Sequence, residues 1–230
     1  MPSSQNPHLM PHRYARFLEG AMWLFCALVL VWRSAAVLLQ PGPPAGWDSP
    51  GHFYLFNKML SLLREGRLSA YDPMWFGGFP AFVLYPPFAY IVMALPHILS
   101  FGLITPELSF NLTLFAIPFF FLVSLVWTGR VFLGPRAGIV LLPLGLMYLM
   151  LGVDYAYAGL GLSGLYLTGM SPGALALPML LVMLGLLESA RRDGSIKLRF
   201  WAGFWLALIV LTHTLTALFA LWSLMLFSLL

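Results

Sequence analysis

The chain has 230 residues, 60% of them hydrophobic and only 9% charged, with a mean hydropathy of +0.87. That composition excludes a soluble enzyme, a nucleic-acid binder and a disordered tail, and it is that of an integral membrane protein, because several apolar runs reach the ~20 residues a helix needs to cross a core of ~30 Å. Twelve Lys and Arg against eight Asp and Glu give a net charge of +4, which is informative here through where the cations fall along the loops.

Residues 1–16 are polar, carry Arg13 and Arg16 without an acid, and read as a cytoplasmic tail. Residues 17–230 read as one transmembrane domain. Its first span is Phe17 to Leu39, stopped by Gln40-Pro41-Gly42-Pro43-Pro44. The only cysteine, Cys26, lies in this run, so there is no disulfide framework and no thiolate metal site. Beyond the prolines, Ser49 is placed to cap a helix with Pro50 in its first turn. Phe53, Phe56, Met59, Leu60 and Leu63 alternate with Asn57, Lys58, Ser61, Arg64 and Glu65 at helical spacing, as in a helix lying in the membrane interface. Residues 69–80 are rich in Trp, Tyr, Gly and Pro. The apolar stretch 81–103 is broken by Pro86, Pro87 and Pro96, which remove donors and predict a broken juxtamembrane helix, not a straight span.

Four apolar runs follow: Leu108 to Thr128, Ala137 to Val153, Gly173 to Leu187, and Phe200 to Leu230, which His213 divides into two short helices. If 81–103 does not cross and the N-terminus is inside, the inner loops hold Arg13, Arg16, Arg130, Arg136, Arg191, Arg192, Lys197 and Arg199. The outer loops then hold only Lys58, Arg64 and Arg67. If 81–103 crosses, every later loop changes side, against the positive-inside bias. The expected fold is therefore an all-α, polytopic bundle with a large first external loop, residues 40–106, that contains juxtamembrane helices. Leu230 falls inside an apolar run, as in an N-terminal fragment of a longer protein.

Asp48 is the first candidate for chemistry, because His52 lies four residues on and both fall on one side of a helix start. The alternative is that Asp48 only interacts with the helix dipole, for ~0.3–1 kcal/mol. Asp72 precedes Pro73 and reads as a turn former. Asp154, at an outer helix end, is either a polar ligand or a solvated terminus. His213, between Thr212 and Thr214, faces either a wet site or a structural hydrogen bond. Arg33 snorkels or pairs with an acid such as Asp48. The glycines of 155–170 lack a following Lys-Ser/Thr, so they form no P-loop and fit close packing or a lipid groove. Asn111-Leu112-Thr113 matches a glycosylation sequon but lies within a span.

Gly46-Trp47-Asp48-Ser49-Pro50-Gly51-His52, then Glu65-Gly66-Arg67, Tyr71-Asp72-Pro73-Met74-Trp75-Phe76-Gly77-Gly78-Phe79-Pro80 and Leu84-Tyr85-Pro86-Pro87, with the Leu211-Thr212-His213 break, resemble a family of polytopic membrane proteins. That family is often labelled 6-pyruvoyl-tetrahydropterin synthase-related and is similar to the GT-C glycosyltransferase superfamily. The resemblance implies a GT-C-like helical bundle that moves a sugar from a polyprenyl-phosphate carrier to an acceptor hydroxyl at the outer face. It implies Asp48 as the catalytic acid of the first external loop. Such a reaction asks for a base, met by Asp48, and for cations on the departing phosphate, met by Arg64 or Arg67 unless these snorkel to headgroups; His52, Asp154 and His213 complete the expected substrate-binding set. Relatives often carry paired acids where this chain has Asp48-Ser49, so no cofactor is firmly implied and a divalent metal stays open. The partners expected are the lipid-linked sugar and the bilayer, and no nucleic acid. The competing class is a non-catalytic transporter or lipid-carrier scaffold, which would line a transmembrane path with polar groups instead of gathering them at one face.

Overall fold

Proline and glycine decide where helices start and stop in this chain. In a computed structural model, which describes residues 12–75, 77–83, 85–152 and 161–228, helix α1 (His12–Leu39) ends at the Pro41–Pro44 run and α2 (Ser49–Arg64) starts with Pro50 in its first turn. A two-stranded hairpin follows, β1 (Ala70–Asp72) antiparallel to β2 (Phe79–Ala81), with Tyr71 opposite Pro80. Helix α3 (Phe88–Leu99) begins after Pro87, and α4 (Pro106–Leu133) is capped by the Thr105 hydroxyl, which accepts the Leu108 amide at 3.2 Å. Then come α5 (Ala137–Leu149), α6 (Gly161–Ser163) passing into a wide π-type turn at Gly164–Thr168, α7 (Ser171–Asp193), α8 (Ile196–Val210) and α9 (Thr214–Phe227). The chain is thus predominantly helical. The hairpin is a departure from the purely α expectation.

Helices α1, α4 and α7 are long and apolar enough to cross a bilayer. Large apolar side chains point outward along α1 and α9: Leu24, Phe25 and Trp32, and Phe219, Trp222 and Met225, are more than half exposed. A soluble protein does not leave such continuous faces bare, whereas lipid tails cover them without cost. The 81–103 stretch yields a helix of only 12 residues, about 18 Å long, too short for the core. The 137–153 run is helical only as far as Leu149, so α5 is also shorter than expected.

Contacts at both ends fix the direction of each helix. Glu19, near the start of α1, pairs with Arg130, near the end of α4. Asn111, near the start of α4, donates to the Gly42 carbonyl just beyond α1 at 2.9 Å. The two helices are therefore antiparallel, and residues 40–105 leave and re-enter the bundle at the same end. Ala137 and Leu141 pack on Gly129, and Gly145 packs against Leu122 and Leu125, so α5 runs against α4. Thr128 donates to Leu181 O at 2.6 Å while Ile117 shares a pocket with Leu175, so α7 runs with α4. Thr212, just beyond α8, reaches the Met179 sulfur, and Phe227 at the end of α9 meets Phe132. One end of the bundle accordingly collects Arg13, Arg16, Arg130, Arg136, Arg191, Arg192, Lys197 and Arg199; the other holds the 40–105 excursion and the α8–α9 break.

Helix α4 is the hub of the packing. Its first half (Phe110, Leu114, Ile117) joins a core with α2, α3 and α7 to α9, and its second half (Phe121, Leu122, Val126) joins one with Cys26 and Leu30 of α1 and Leu142 of α5. The apolar face of α2 is covered as its pattern requires: Phe56 and Met59 are fully buried and Asn57 and Ser61 exposed. In a Cys26→Ser background, cysteines at Gly42 and Asn111 should be joined by a short bismaleimide and cysteines at Gly42 and Arg130 should not. The reverse pattern on denaturing gels would overturn the antiparallel arrangement.

Candidate active site

The segment Gly46-Trp47-Asp48 is held by main-chain bonds to a part of the chain more than a hundred residues away. Trp47 N–H donates to Leu167 O and Asp48 N–H to Thr168 O, each at 3.0 Å. Close approach makes this pairing depend on glycine. A Cβ on Gly46 would lie 2.5 Å from Leu167 O, and one on Gly169, whose φ is +82°, would lie 2.5 Å from Ser49 N. The π turn that presents these carbonyls is closed by Thr168, whose hydroxyl donates to Gly164 O at 2.6 Å, and tied to α1 by Tyr166, whose hydroxyl donates to Ser34 at 3.0 Å. Gly161 and Gly169 thus serve close packing, while Gly159 lies outside the described residues.

Asp48 is the residue preceding the first turn of α2, the place the sequence assigns to Ser49. Its backbone lies near φ −96°, ψ −10°, not in the extended region that turns a side chain back onto the helix, and it makes no capping bond. Its carbonyl accepts the His52 amide at 2.9 Å, while its exposed carboxylate has no hydrogen bond or ion pair among the described residues. Arg33 stacks over Trp32 at 5.9 Å and forms no ion pair with Asp48.

His52, one turn on, is buried, and its Nδ1 lies 2.6 Å from the hydroxyl of the fully buried Tyr90 of α3. Burial pushes its pKa down to about 4, with Asp48 pulling upward and His213 pushing further down. The imidazole is therefore neutral at neutral pH. Burial likewise raises the Tyr85 hydroxyl, with Asp48 adding to the rise. His213 is the residue before α9. Its Nδ1 lies 2.9 Å from the Thr216 hydroxyl and 3.3 Å from the Thr216 amide, a capping contact that leaves Nε2 without a partner among the described residues. A Cβ on Gly173, in the first turn of α7, would meet that ring at 3.3 Å. The amino ends of α2, α7 and α9 thus converge around Asp48, His52 and His213, each bringing a partial charge of about +0.5.

Asp48 and His52 share a cavity of about 440 Å³ with Trp47, Gly51, Leu55, Trp75, Phe79 and Tyr85, within the ~300–1,000 Å³ typical of small-molecule sites. The hairpin supplies one wall. Asp72 is its anchor: the carboxylate accepts the Tyr54 hydroxyl at 2.7 Å and the Met74 amide at 3.0 Å, with Lys58 at 3.7 Å. Burial alone would raise the Asp72 pKa, but these bonds hold it below its ordinary value. Trp75 then stacks on Tyr54 with ring centroids 5.0 Å apart and covers Gly51. Asp72 is a turn former, as expected, and also a clasp. The aromatic wall and the Tyr90 partner of His52 were not among the expected site residues, although Trp75, Phe79 and Tyr85 stand in the motif that carries the resemblance.

Arg64 and Arg67 are not brought to this cavity. They follow at the far end of the 16-residue α2, about 24 Å along its axis from Asp48. Arg64 lies 3.2 Å from His97 Nε2 in a separate cavity, and Arg67 pairs with Glu65 at 3.1 Å. Asp154 lies outside the described residues. Among the described residues no three His, Cys, Asp or Glu side chains converge as metal ligands. Asn111 of the sequon is buried in α4. Comparisons with protein-family models, with curated proteins and with solved structures found no match.

Two outcomes follow. Gly46→Ala should lower stability by roughly 1–3 kcal/mol, because the methyl group would separate Trp47 from Leu167, a loss visible in detergent melting curves. Melting midpoints should also depend on pH through His52. Above about pH 6.5 both states hold it neutral; as pH falls, the unfolded chain takes the proton first, and stability is lost down through about 4 by on the order of 3 kcal/mol. His52→Gln should remove most of that slope, and an unchanged slope would contradict the assignment.

Proposed function

We propose that the chain is a membrane glycosyltransferase of the GT-C type, moving a sugar from a polyprenyl-phosphate carrier to an acceptor hydroxyl with Asp48 as general base. The observation that carries this reading is the Asp48 carboxylate, which has no partner among the described residues and is set in an aromatic-walled cavity at the amino end of α2, with the amino ends of α7 and α9 packed close by. The acceptor hydroxyl gives its proton to Asp48 as its oxygen attacks the anomeric carbon. The bond from that carbon to the phosphate oxygen breaks, and its electron pair leaves with the phosphate. Trp47, Trp75, Phe79 and Tyr85 offer apolar faces for the sugar ring.

The departing phosphate needs positive charge, and Arg64 and Arg67 are too far from Asp48 to hold it. The amino ends of α7 and α9 take that role in this reading, with the Nε2–H of His213 as a donor. The buried Ser171 hydroxyl, at the first residue of α7, has no partner among the described residues and suits the same task. The cation-rich end of the bundle faces the cytoplasm in this reading, by the positive-inside bias, which leaves Asp48 at the external face.

Asp48→Asn keeps shape but takes no proton. Transfer from a polyprenyl-phosphate-linked sugar should fall by ~10²-fold or more while the melting midpoint stays near wild type; an unchanged rate would remove Asp48 from catalysis. For orientation, a cysteine at Ala70 should react with an impermeant maleimide added outside intact cells and one at Gly194 should not. Labelling of Gly194 from outside would invert the membrane placement.

A further inference from the structure

We propose that a groove at the opposite end of the bundle, between α7, α8 and α9, binds the phosphate headgroup of an anionic bilayer phospholipid. The groove holds about 390 Å³ and is lined by Leu187, Ala190, Arg191, Arg199, Leu224 and Phe227, with Ser228 at its edge. Two arginines at the rim of an apolar wall match a molecule with a charged head and a hydrocarbon body.

Arg191 is preorganised, together with its neighbour Arg192 outside the lining. Glu188, buried on α7, accepts from Arg191 through Nε at 2.8 Å and Nη2 at 2.9 Å, and from Arg192 through Nε. One carboxylate thus orders two guanidinium groups and cancels a single charge, so the cluster keeps a net positive charge and its arginines lose little further freedom on binding an anion. Arg199 stands in the first turn of α8, whose amino end, capped by the Ser195 hydroxyl on the Leu198 amide, adds positive potential. The nearby Asp193 is exposed at the end of α7, and Lys197, Arg130 and Arg136 lie at the same end. The apolar wall continues down α9 through Leu224 toward its lipid-facing side chains. Basic pockets between spanning helices select anionic headgroups because the cation is met at the depth of the phosphates while the chains stay in hydrocarbon. This site is independent of the Asp48 cavity and of any reaction there.

Native mass spectrometry of the purified 230-residue chain, released from a zwitterionic detergent with added phosphatidylglycerol or phosphatidylcholine, tests the assignment. Wild type should retain phosphatidylglycerol in preference to phosphatidylcholine. Arg199→Gln should weaken that retention roughly fivefold, and Arg16→Gln, which removes a cation from the same end outside the groove, should leave it unchanged. Arg191→Gln provides a second variant should Arg199→Gln lower the melting midpoint. Equal retention of the two lipids, loss in Arg16→Gln equal to that in Arg199→Gln, or displacement of the lipid by millimolar inorganic phosphate alone would each overturn the proposal.

Discussion

Two main-chain hydrogen bonds, from Trp47 to Leu167 and from Asp48 to Thr168, carry the architecture of the candidate site. They seat the end of the α1–α2 connection on the turn that precedes α7, and they do so only because Gly46 and Gly169 leave the backbones bare at the contact. Once that seat exists, the start of α2 is fixed against the start of α7, and Gly173 of α7 holds His213 at the start of α9. The convergence of three helix amino ends, and with it the positive potential around Asp48, follows from one short backbone pairing. Side chains then refine the place: Tyr90 holds His52, and Asp72 clasps the hairpin to Tyr54 and Lys58 so that Trp75 closes over Gly51.

The bundle separates two chemistries by distance. At one end the candidate cavity brings together Asp48, whose carboxylate has no partner among the described residues, and the buried His52, with His213 close by. At the other end nearly all the charge is guanidinium or ammonium, with Glu188 and Glu19 spent on Arg191, Arg192 and Arg130. Between them the helices carry apolar side chains, and α4 joins the two cores through its two halves. This arrangement follows from the alternating directions of α1, α4, α5, α7, α8 and α9, which in turn rests on a handful of contacts between helix ends.

Periodicity and punctuation made the helices legible. The apolar stripe of α2, the stops at Pro41–Pro44 and Pro87, and the break at His213 are all local, and local patterns survive folding. The proximity of Asp48 and His52 was legible too, because a four-residue separation on a helix has one geometry. The hairpin was not: its strands have three residues each, and one holds Pro80, so no alternating pattern announces it. The partnership of Trp47 and Asp48 with Leu167 and Thr168 could not be read either, since Gly46 and Gly169 mark places of close approach without saying which backbone approaches. Arg64 and Arg67 joined the expected site on charge alone, although the helical pattern that placed Asp48 beside His52 also places these arginines some 24 Å away. That distance was available in the sequence and was outweighed by the demand of the chemistry for a cation.

The most direct test of the account is a structure of the protein in a lipid nanodisc with a non-hydrolysable polyprenyl-phosphonate sugar. The account predicts the sugar between Trp47 and Trp75 with a hydroxyl-bearing edge toward Asp48, and the phosphonate against Ser171, Gly173 and Nε2 of His213. A phosphonate seated instead beside Arg64 and His97, with the Asp48 cavity holding no part of the ligand, would contradict it.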